Sequence, residues 1–366
     1  MPGSDDRRAA AAGRLFPSDV TAVVERRARE FATLRGTRIF MTGGTGFVGR
    51  WLLHVLLAAD ATLELGTEVT LLTRDPSAFI SRYPYLAAAP RVKLVRGDVR
   101  SFDLPTNGFD RVLHLAAETN TTLRNPPPEE YFDVIVDGTR RVLDVAERTG
   151  AGSFLLVSSG AVYGKPSTSH LRLGEEDPYG PPPTDLRSAY GEAKRCAELL
   201  ACARAARCGF VATVARCFAF VGPYIPVDSG FAVGNFIRDA VMGREIVVRG
   251  DGLPIRTFLY AADMAEWLWT IAITGGCCRP YNVGSNEEIT IGDLARTIAR
   301  LADSGARVRV LGDSTLVGVG ASYVPDVTRA KAELGLAVTV HLEEALRRTV
   351  DWYRIRYGSS QWALFR

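Results

Sequence analysis

The chain has 366 residues, 47% of them hydrophobic and 23% charged, which suits one or two closely joined globular domains and excludes a disordered segment or a small disulfide scaffold. Lys and Arg total 44 against 41 Asp and Glu, so a net charge of +3 is spread along the chain without a basic tail that would grip nucleic acid or a membrane surface. The six cysteines, Cys196, Cys202, Cys208, Cys217, Cys277 and Cys278, include no CxxC pair, and no run of about 20 apolar residues is present; no metal is expected, and a soluble cytoplasmic protein is.

Residues 1 to about 16 read as a loose leader. Pro17-Ser18-Asp19 opens a capped, moderately amphipathic helix that ends before Gly36, and residues 1–36 together read as an addition packed on a larger domain. Residues 37–220 then alternate apolar strands with helical stretches. Strands are expected at Arg38 to Thr42, Glu68 to Leu72, Val92 to Val95, Arg111 to Leu115 and Phe154 to Ser158, and helices at Arg50 to Ala59, Glu129 to Arg148 and Ala189 to Arg207. Strands joined by helical crossovers predict an α/β fold with a doubly wound parallel sheet. Residues 221–366 are less regular, with helices expected at Gly234 to Met242, Ala261 to Ile273, Ile291 to Ala302, Arg329 to Leu334 and Leu342 to Tyr353. They read mainly as a smaller substrate-binding region, with some segments returning to the sheet domain.

TGGTGFVG at Thr42 to Gly49 places Gly43, Gly46 and Gly49 between a strand and a helix. Glycines let the turn approach a pyrophosphate, and free amides at the helix start oppose its charge, so Thr45, Phe47 and Val48 join the three glycines as candidate cofactor contacts. Where an acidic residue after the second strand would favour NAD, this chain has Thr73-Arg74. The Arg74 guanidinium suits a 2′-phosphate, whereas Asp75 can turn back toward a ribose, and both NAD and NADP stay open. Asp98, beside Val99, suits an adenine amino group or a turn cap. His114 reads equally as a packed histidine or a border of the site, with Leu115, Ala116 and Ala117 along the cofactor path and Glu118 beyond them on the substrate side.

LVSSGAVYG puts Ser158 and Ser159 at a strand end, and YGEAK puts Tyr190 and Lys194 one helical turn apart on one face. A nearby ammonium favours phenolate, and a serine hydroxyl can donate to a reacting oxygen; moving a tyrosine from about 10 to about 7 corresponds to roughly 4 kcal/mol.

These motifs, with HLAAET at His114 to Thr119, ARCFAFVGP at Ala215 to Pro223, GDGLPIRTFLY at Gly250 to Tyr260 and YNVGS at Tyr281 to Ser285, resemble the extended short-chain dehydrogenase/reductase superfamily, in its nucleotide-sugar epimerase, dehydratase and decarboxylase branch. The resemblance implies a Rossmann-type fold, Ser159, Tyr190 and Lys194 as the catalytic trio, and Gly43, Gly46, Gly49 and Asp98 at the cofactor. It places Arg256 and Asn235 at the diphosphate or sugar of a nucleoside diphosphate sugar, and implies a homodimer through paired helices. The 4,6-dehydratase pattern has an Asp-Glu pair where this chain has Gly160-Ala161, and neither small residue can transfer a proton. The decarboxylase pattern often keeps a Glu near Ala161, and Ala219 replaces the usual Asn before VGP; Glu118, Glu192 or Asp228 are the carboxylates that can act instead from another direction. The expected reaction is reversible C4 oxidation of the sugar with rotation of a 4-keto intermediate, a C4 epimerisation with tightly bound NAD(P). NADPH-dependent reduction of a 4-keto sugar, an atypical dehydratase or decarboxylase, and a non-catalytic NAD(P)-binding regulator are the alternatives.

Overall fold

A computed structural model describes residues 3–11, 13–105, 108–117, 126–164, 172–312 and 322–361. Strands β1 (Arg38–Thr42), β2 (Glu68–Thr73), β3 (Val92–Arg96), β4 (Arg111–His114), β5 (Ser153–Ser159) and β6 (Val211–Cys217) form one sheet with the later strand Pro280–Val283. Every pairing in it is parallel, and the order is Pro280–Val283, β6, β5, β4, β1, β2, β3.

The strands are near-continuous apolar runs because both faces are covered. Alternate residues divide between two cores: Ile39, Met41, Leu71, Leu113 and Leu155 face one, and Phe40, Leu72, Val112, Phe154 and Leu156 the other. Helices Phe47–Leu63 and Ala261–Thr274 fill the first, with Trp51, Trp267 and Trp269 at most 1% exposed. Helices Gly138–Thr149 and Ala189–Cys208 fill the second. Ala193, Ala197 and Ala201 recur every four residues as a fully buried stripe, so that helix sits close on the sheet.

The sheet order reverses between β1 and β4, so the chains leaving these two strands part and open a crevice at the carboxyl edge. Residues after β6 frame it with helices Ala232–Val241, Ile291–Ala302 and Leu342–Gln361 and with short strand pairs, among them Ile255–Thr257 against Glu288–Thr290.

Several expectations need correction. The leader is not loose: Ser4–Ala11 is helical, and Ala10, Leu15 and Phe16 are buried. Its charged sequence is a weak local signal, and tertiary contacts hold it, including Trp352 Nε1 donating to Arg14 O at 2.8 Å. The next helix breaks at Arg27 into Pro17–Arg26 and Ala28–Ala32 and carries no side-chain cap. There Arg26 (Nε, 2.8 Å) and Arg27 (Nε, 2.8 Å) both donate to Glu266, a carboxylate only 2% exposed, and buried Asp19 accepts from Tyr260 and Arg348. The single helix expected over Glu129 to Arg148 holds a π-helical turn at Asp133–Asp137, and β6 and Pro280–Val283 had not been read as strands.

Candidate active site

One cleft of about 1170 Å³ runs along the carboxyl edge, lined from the ends of β1 to β6: Thr42, Gly43, Thr45 to Val48, Leu72 to Asp75, Gly97 to Arg100, Leu115 to Ala117, Val157 to Ser159, and Cys217 to Phe220. That volume exceeds the usual small-ligand range and suits two ligands end to end.

At the β1 end the wall is backbone. Gly43 has φ +70°, and a Cβ there would lie 2.7 Å from Ala116 N, so the β1 and β4 loops touch only because the side chain is missing. A Cβ on Gly49 would lie 2.4 Å from Gly43 O and from Gly44 Cα, so the helix Phe47–Leu63 starts directly against the turn. Gly46 is the N-cap and offers no side chain to the helix amides, which leaves them for an anion. Thr45, Phe47 and Val48 line the cleft, as do Leu115, Ala116 and Ala117 across from them, while Gly49 packs behind the lining. This donor-rich, side-chain-free cradle fits the pyrophosphate of a dinucleotide.

His114 stands behind that wall, 2% exposed. Thr139 Oγ1 donates to Ile135 O (2.5 Å), so His114 Nε2 donates to Thr139 Oγ1 (3.1 Å) and Nδ1 accepts from Thr42 Oγ1 (2.7 Å), which in turn accepts from Ala116 N (3.2 Å). Burial, then Lys194, pushes His114 down to about 3, and the neutral ring ties β1 to β4 from inside.

Arg74 lines the cleft and is exposed, whereas Asp75 caps the helix Pro76–Arg82, its Oδ1 accepting from Ala78 N at 2.9 Å. Asp98 also lines the cleft. Its carboxylate is held by Arg100, with Nε to Oδ1 at 2.8 Å, Nη2 to Oδ2 at 2.9 Å and the Arg100 amide to Oδ1 at 2.9 Å, and Arg100 holds the carboxyl below its usual range. The Arg100 amide on Oδ1 is the turn cap foreseen for Asp98, and its place on the cleft wall is the one the adenine contact would need. Val99 lines the cleft and packs on Gly138, where a Cβ would stand 3.0 Å from it.

At the β5 end the wall is side chains. Ser159, Tyr190 and Lys194 all line the cleft. The expected lowering of the tyrosine is not found: burial pushes Tyr190 up to about 12, with the nearby Ser159 hydroxyl acting the other way. Lys194 turns its Nζ to Val157 O at 2.7 Å, and burial pushes it down to about 8. Beneath them Glu198, one turn along the helix, accepts from Ser158 Oγ at 2.5 Å and from the Arg216 Nη2 at 2.7 Å, which locks the helix to β5 and β6.

Arg256 lines the same end, its Nη1 donating to Ile255 O at 2.8 Å. Asn235 lies off the wall; its Nδ2 donates to Ser229 O at 2.7 Å, and its buried Oδ1 has no partner. Glu192 is 3.8 Å from Arg195, and Asp228 pairs with Arg238 at 2.7 Å; neither lines the cleft. Glu118 lies outside the described residues. The lining carboxylates among the described residues are therefore Asp75, Asp98 and Glu130.

Two aromatic residues had not been singled out. Phe218 and Tyr323 pack as a tilted pair, centroids 4.6 Å apart and planes at 35°, and both stand over Gly160, where a Cβ would meet Tyr323 Oη at 2.4 Å and Phe218 Cζ at 2.8 Å. Phe218 sits within ARCFAFVGP and could have been found there; Tyr323 has no local motif. Among the described residues no cluster of three or more His, Cys, Asp or Glu can hold a metal, and no helix is long and apolar enough to cross a membrane.

A UDP-glucuronic acid decarboxylase of Arabidopsis thaliana (decarboxylase 5) is 30% identical over 324 residues, covering 88% of this chain and 90% of its own. A dTDP-glucose 4,6-dehydratase of Streptomyces niveus is 29% identical over 322 residues, covering 87% and 93%. The crystal structure of a dTDP-glucose 4,6-dehydratase from Streptomyces venezuelae with NAD and TYD bound is similar at a TM-score of 0.74 and 26% identity, over 88% of this chain and 98% of that one. Residues 39–284, more than half of the chain, match the NAD dependent epimerase/dehydratase family, and the chain belongs to it.

Proposed function

We propose that this chain is an NAD(P)-dependent C4 epimerase of a nucleoside diphosphate sugar. The observation that carries the reading is the content of the β5 end of the cleft: the Ser159, Tyr190 and Lys194 groups are together there, and the space beyond Gly160 holds Tyr323 and Phe218 instead of an acid and a base. C4 oxidation and return need one group that takes and gives back a hydroxyl proton; elimination at C5 and C6 needs further proton-transfer groups.

The Gly43 to Val48 turn would hold the cofactor pyrophosphate, with Leu115 to Ala117 opposite. A bound nicotinamide supplies reversible acceptance of hydride from the sugar carbon. Tyr190 Oη takes the C4 hydroxyl proton in one direction and returns it in the other. Ser159 donates to the same sugar oxygen, and Lys194, charged below about 8, favours the phenolate. Arg256, opposite, suits the diphosphate through its planar fork. Arg74 at the end of β2, with Asp75 engaged as a cap, supports NADP as the cofactor and with it a second reading, reduction of a 4-keto nucleotide sugar.

Proton NMR of the enzyme in heavy water tests the proposal, with UDP- and dTDP-hexoses and UDP-glucuronic acid, with and without added NAD(P)H. A C4 epimer formed without net cofactor consumption or C5 deuteration is expected. A deuterated 4-keto-6-deoxy sugar overturns the reading in favour of a dehydratase, release of carbon dioxide from the uronic acid in favour of a decarboxylase, and stoichiometric NADPH consumption in favour of a reductase.

A further inference from the structure

Arg50, in the first turn of the helix Phe47–Leu63, is 8% exposed and lies behind the glycine turn, off the cleft wall. Its Nε donates to Gly46 O at 3.1 Å, its Nη1 to Tyr83 Oη, and its Nη2 to Tyr224 O at 3.4 Å. The guanidinium carbon stands 4.6 Å from the Tyr83 ring centroid and 4.4 Å from that of Tyr224, in the corner of two rings that meet at 79°. All of these partners are dipoles or ring faces. Among the described residues no carboxylate oxygen lies within 4.0 Å of the Arg50 nitrogens. The groups around it are neutral as well: burial, then Arg50 and Arg14, holds His54 down at about 3, and burial raises Tyr85 and Tyr224.

Elsewhere the fold answers a shielded guanidinium with a carboxylate: Arg216 meets Glu198 at 2.7 Å, and Arg27 meets Glu266 at 2.8 Å. A cation withdrawn from water costs free energy unless an anion faces it, and carbonyls and ring faces offset that cost only in part. The charge is also set directly behind the cofactor cradle. Gly46 O accepts from the Arg50 amide at 3.0 Å as well as from Arg50 Nε, so both bonds draw this carbonyl into the helix. The peptide is trans, so its N–H, which belongs to Phe47, points the opposite way, and Phe47 lines the cleft. A cation on the oxygen of a peptide polarises the whole unit and makes its N–H a stronger donor.

We propose that Arg50 is a positioning residue of the cofactor site: its charge, behind the Gly46–Phe47 peptide and without a carboxylate to answer it, takes the dinucleotide pyrophosphate as its counter-charge and acts on it through the Phe47 amide. The inference deepens the proposed function and rests on its assignment of the glycine turn to the pyrophosphate; the C4 chemistry does not enter.

The test uses the full chain freed of bound nucleotide. NADH and NADPH are titrated by their fluorescence, and adenosine, which carries no phosphate, by displacing them. R50Q keeps a donor for Gly46 O and loses the charge, whereas R50K keeps the charge without the planar fork. R50Q is expected to weaken both dinucleotides about tenfold and to leave adenosine within about twofold, while R50K stays within about threefold of the wild type for all three ligands. Dinucleotide affinity unchanged in R50Q overturns the role of Arg50, as does R50K binding as poorly as R50Q. A matching loss of adenosine in R50Q overturns it too, since that marks a packing role. If R50Q does not fold, R50K decides alone: retained dinucleotide affinity supports the charge, and a loss beyond about threefold overturns it. A wild type that binds neither NADH nor NADPH removes the pyrophosphate site and the cofactor reading with it, an outcome distinct from the failure of Arg50 alone.

Discussion

The two ends of the cleft are made of different material. Around Gly43, Gly46 and Gly49 the wall is main chain, drawn from a few consecutive residues, and it would serve any dinucleotide with a pyrophosphate. Around Ser159 the wall is side chains that arrive from β5, the helix Ala189–Cys208, the strand Ile255–Thr257 and the bridge at Tyr323. A backbone cradle tolerates sequence change provided its glycines stay, whereas an assembly of distant side chains changes its chemistry with one residue. Specificity between related reactions therefore belongs to the β5 end.

The sharpest way to separate the ends is Tyr190→Phe. Turnover is expected to fall by about 10²–10⁴-fold while NAD(P) affinity, read by fluorescence titration, stays within about twofold; a comparable loss of affinity would join the two ends into one unit. Gly49→Val attacks the other end. Its side chain would run into Gly43 O and Gly44 Cα, so Tm and cofactor affinity are expected to fall together, by several degrees and more than tenfold. Replacing both Arg26 and Arg27 by Ala probes what both ends stand on: the helices over Glu266 remain while its carboxylate loses both partners, a loss of about 3–5 kcal/mol by analogy with broken buried pairs, read in denaturant unfolding. Arg74→Ala is expected to weaken NADP about tenfold and leave NAD unchanged by calorimetry; equal affinities before and after would remove Arg74 from cofactor choice.

The effects of pH have the same sign at the two ends and fall in different windows. His114 is held near 3 in the fold and titrates near 6.5 when unfolded. The unfolded chain therefore binds the extra proton in between, and stability falls as pH drops from about 6.5 toward 3. A Tm profile should show that slope, flattened in His114→Gln. Lys194, lowered from 10.5 to about 8, works in the other window: from pH 8 to 10.5 its contribution to stability rises with pH while activity falls as its charge is lost. Moving the alkaline limb of kcat/KM with Lys194→Arg checks it.

What the sequence made legible follows the same division. The β1 turn could be read because strand, glycines and helix are contiguous, and Tyr190 and Lys194 because one helical turn joins them. The parallel sheet was readable in five of its strands from their apolar runs, while β6 and Pro280–Val283 lie among residues whose motif-like character hid their strand geometry. Tyr323 was not legible, since only the bridge to Arg256 brings it over Gly160. Nor were the partners of Asp75 and Asp98: the structure shows one capping a helix and the other held by Arg100, both still on the cleft wall, and sequence spacing alone does not give those bonds. The N-terminal helix Ser4–Ala11 escaped because its order comes from partners more than 300 residues away, such as Arg356, whose Nη1 donates to Ala11 O at 3.3 Å.

The crowding over Gly160 also bears on how this chain can change over evolutionary time. A carboxylate introduced at position 160 meets the Tyr323 oxygen and the Phe218 ring before it meets any substrate. The route from this active site to one with an acid at that position is therefore closed to a single replacement: the aromatic pair has to retreat first, and an intermediate lacking Tyr323 must survive selection on whatever activity its remaining hydroxyls support. Neighbouring reactions of one family can thus be separated by an order of events as well as by a difference in residues.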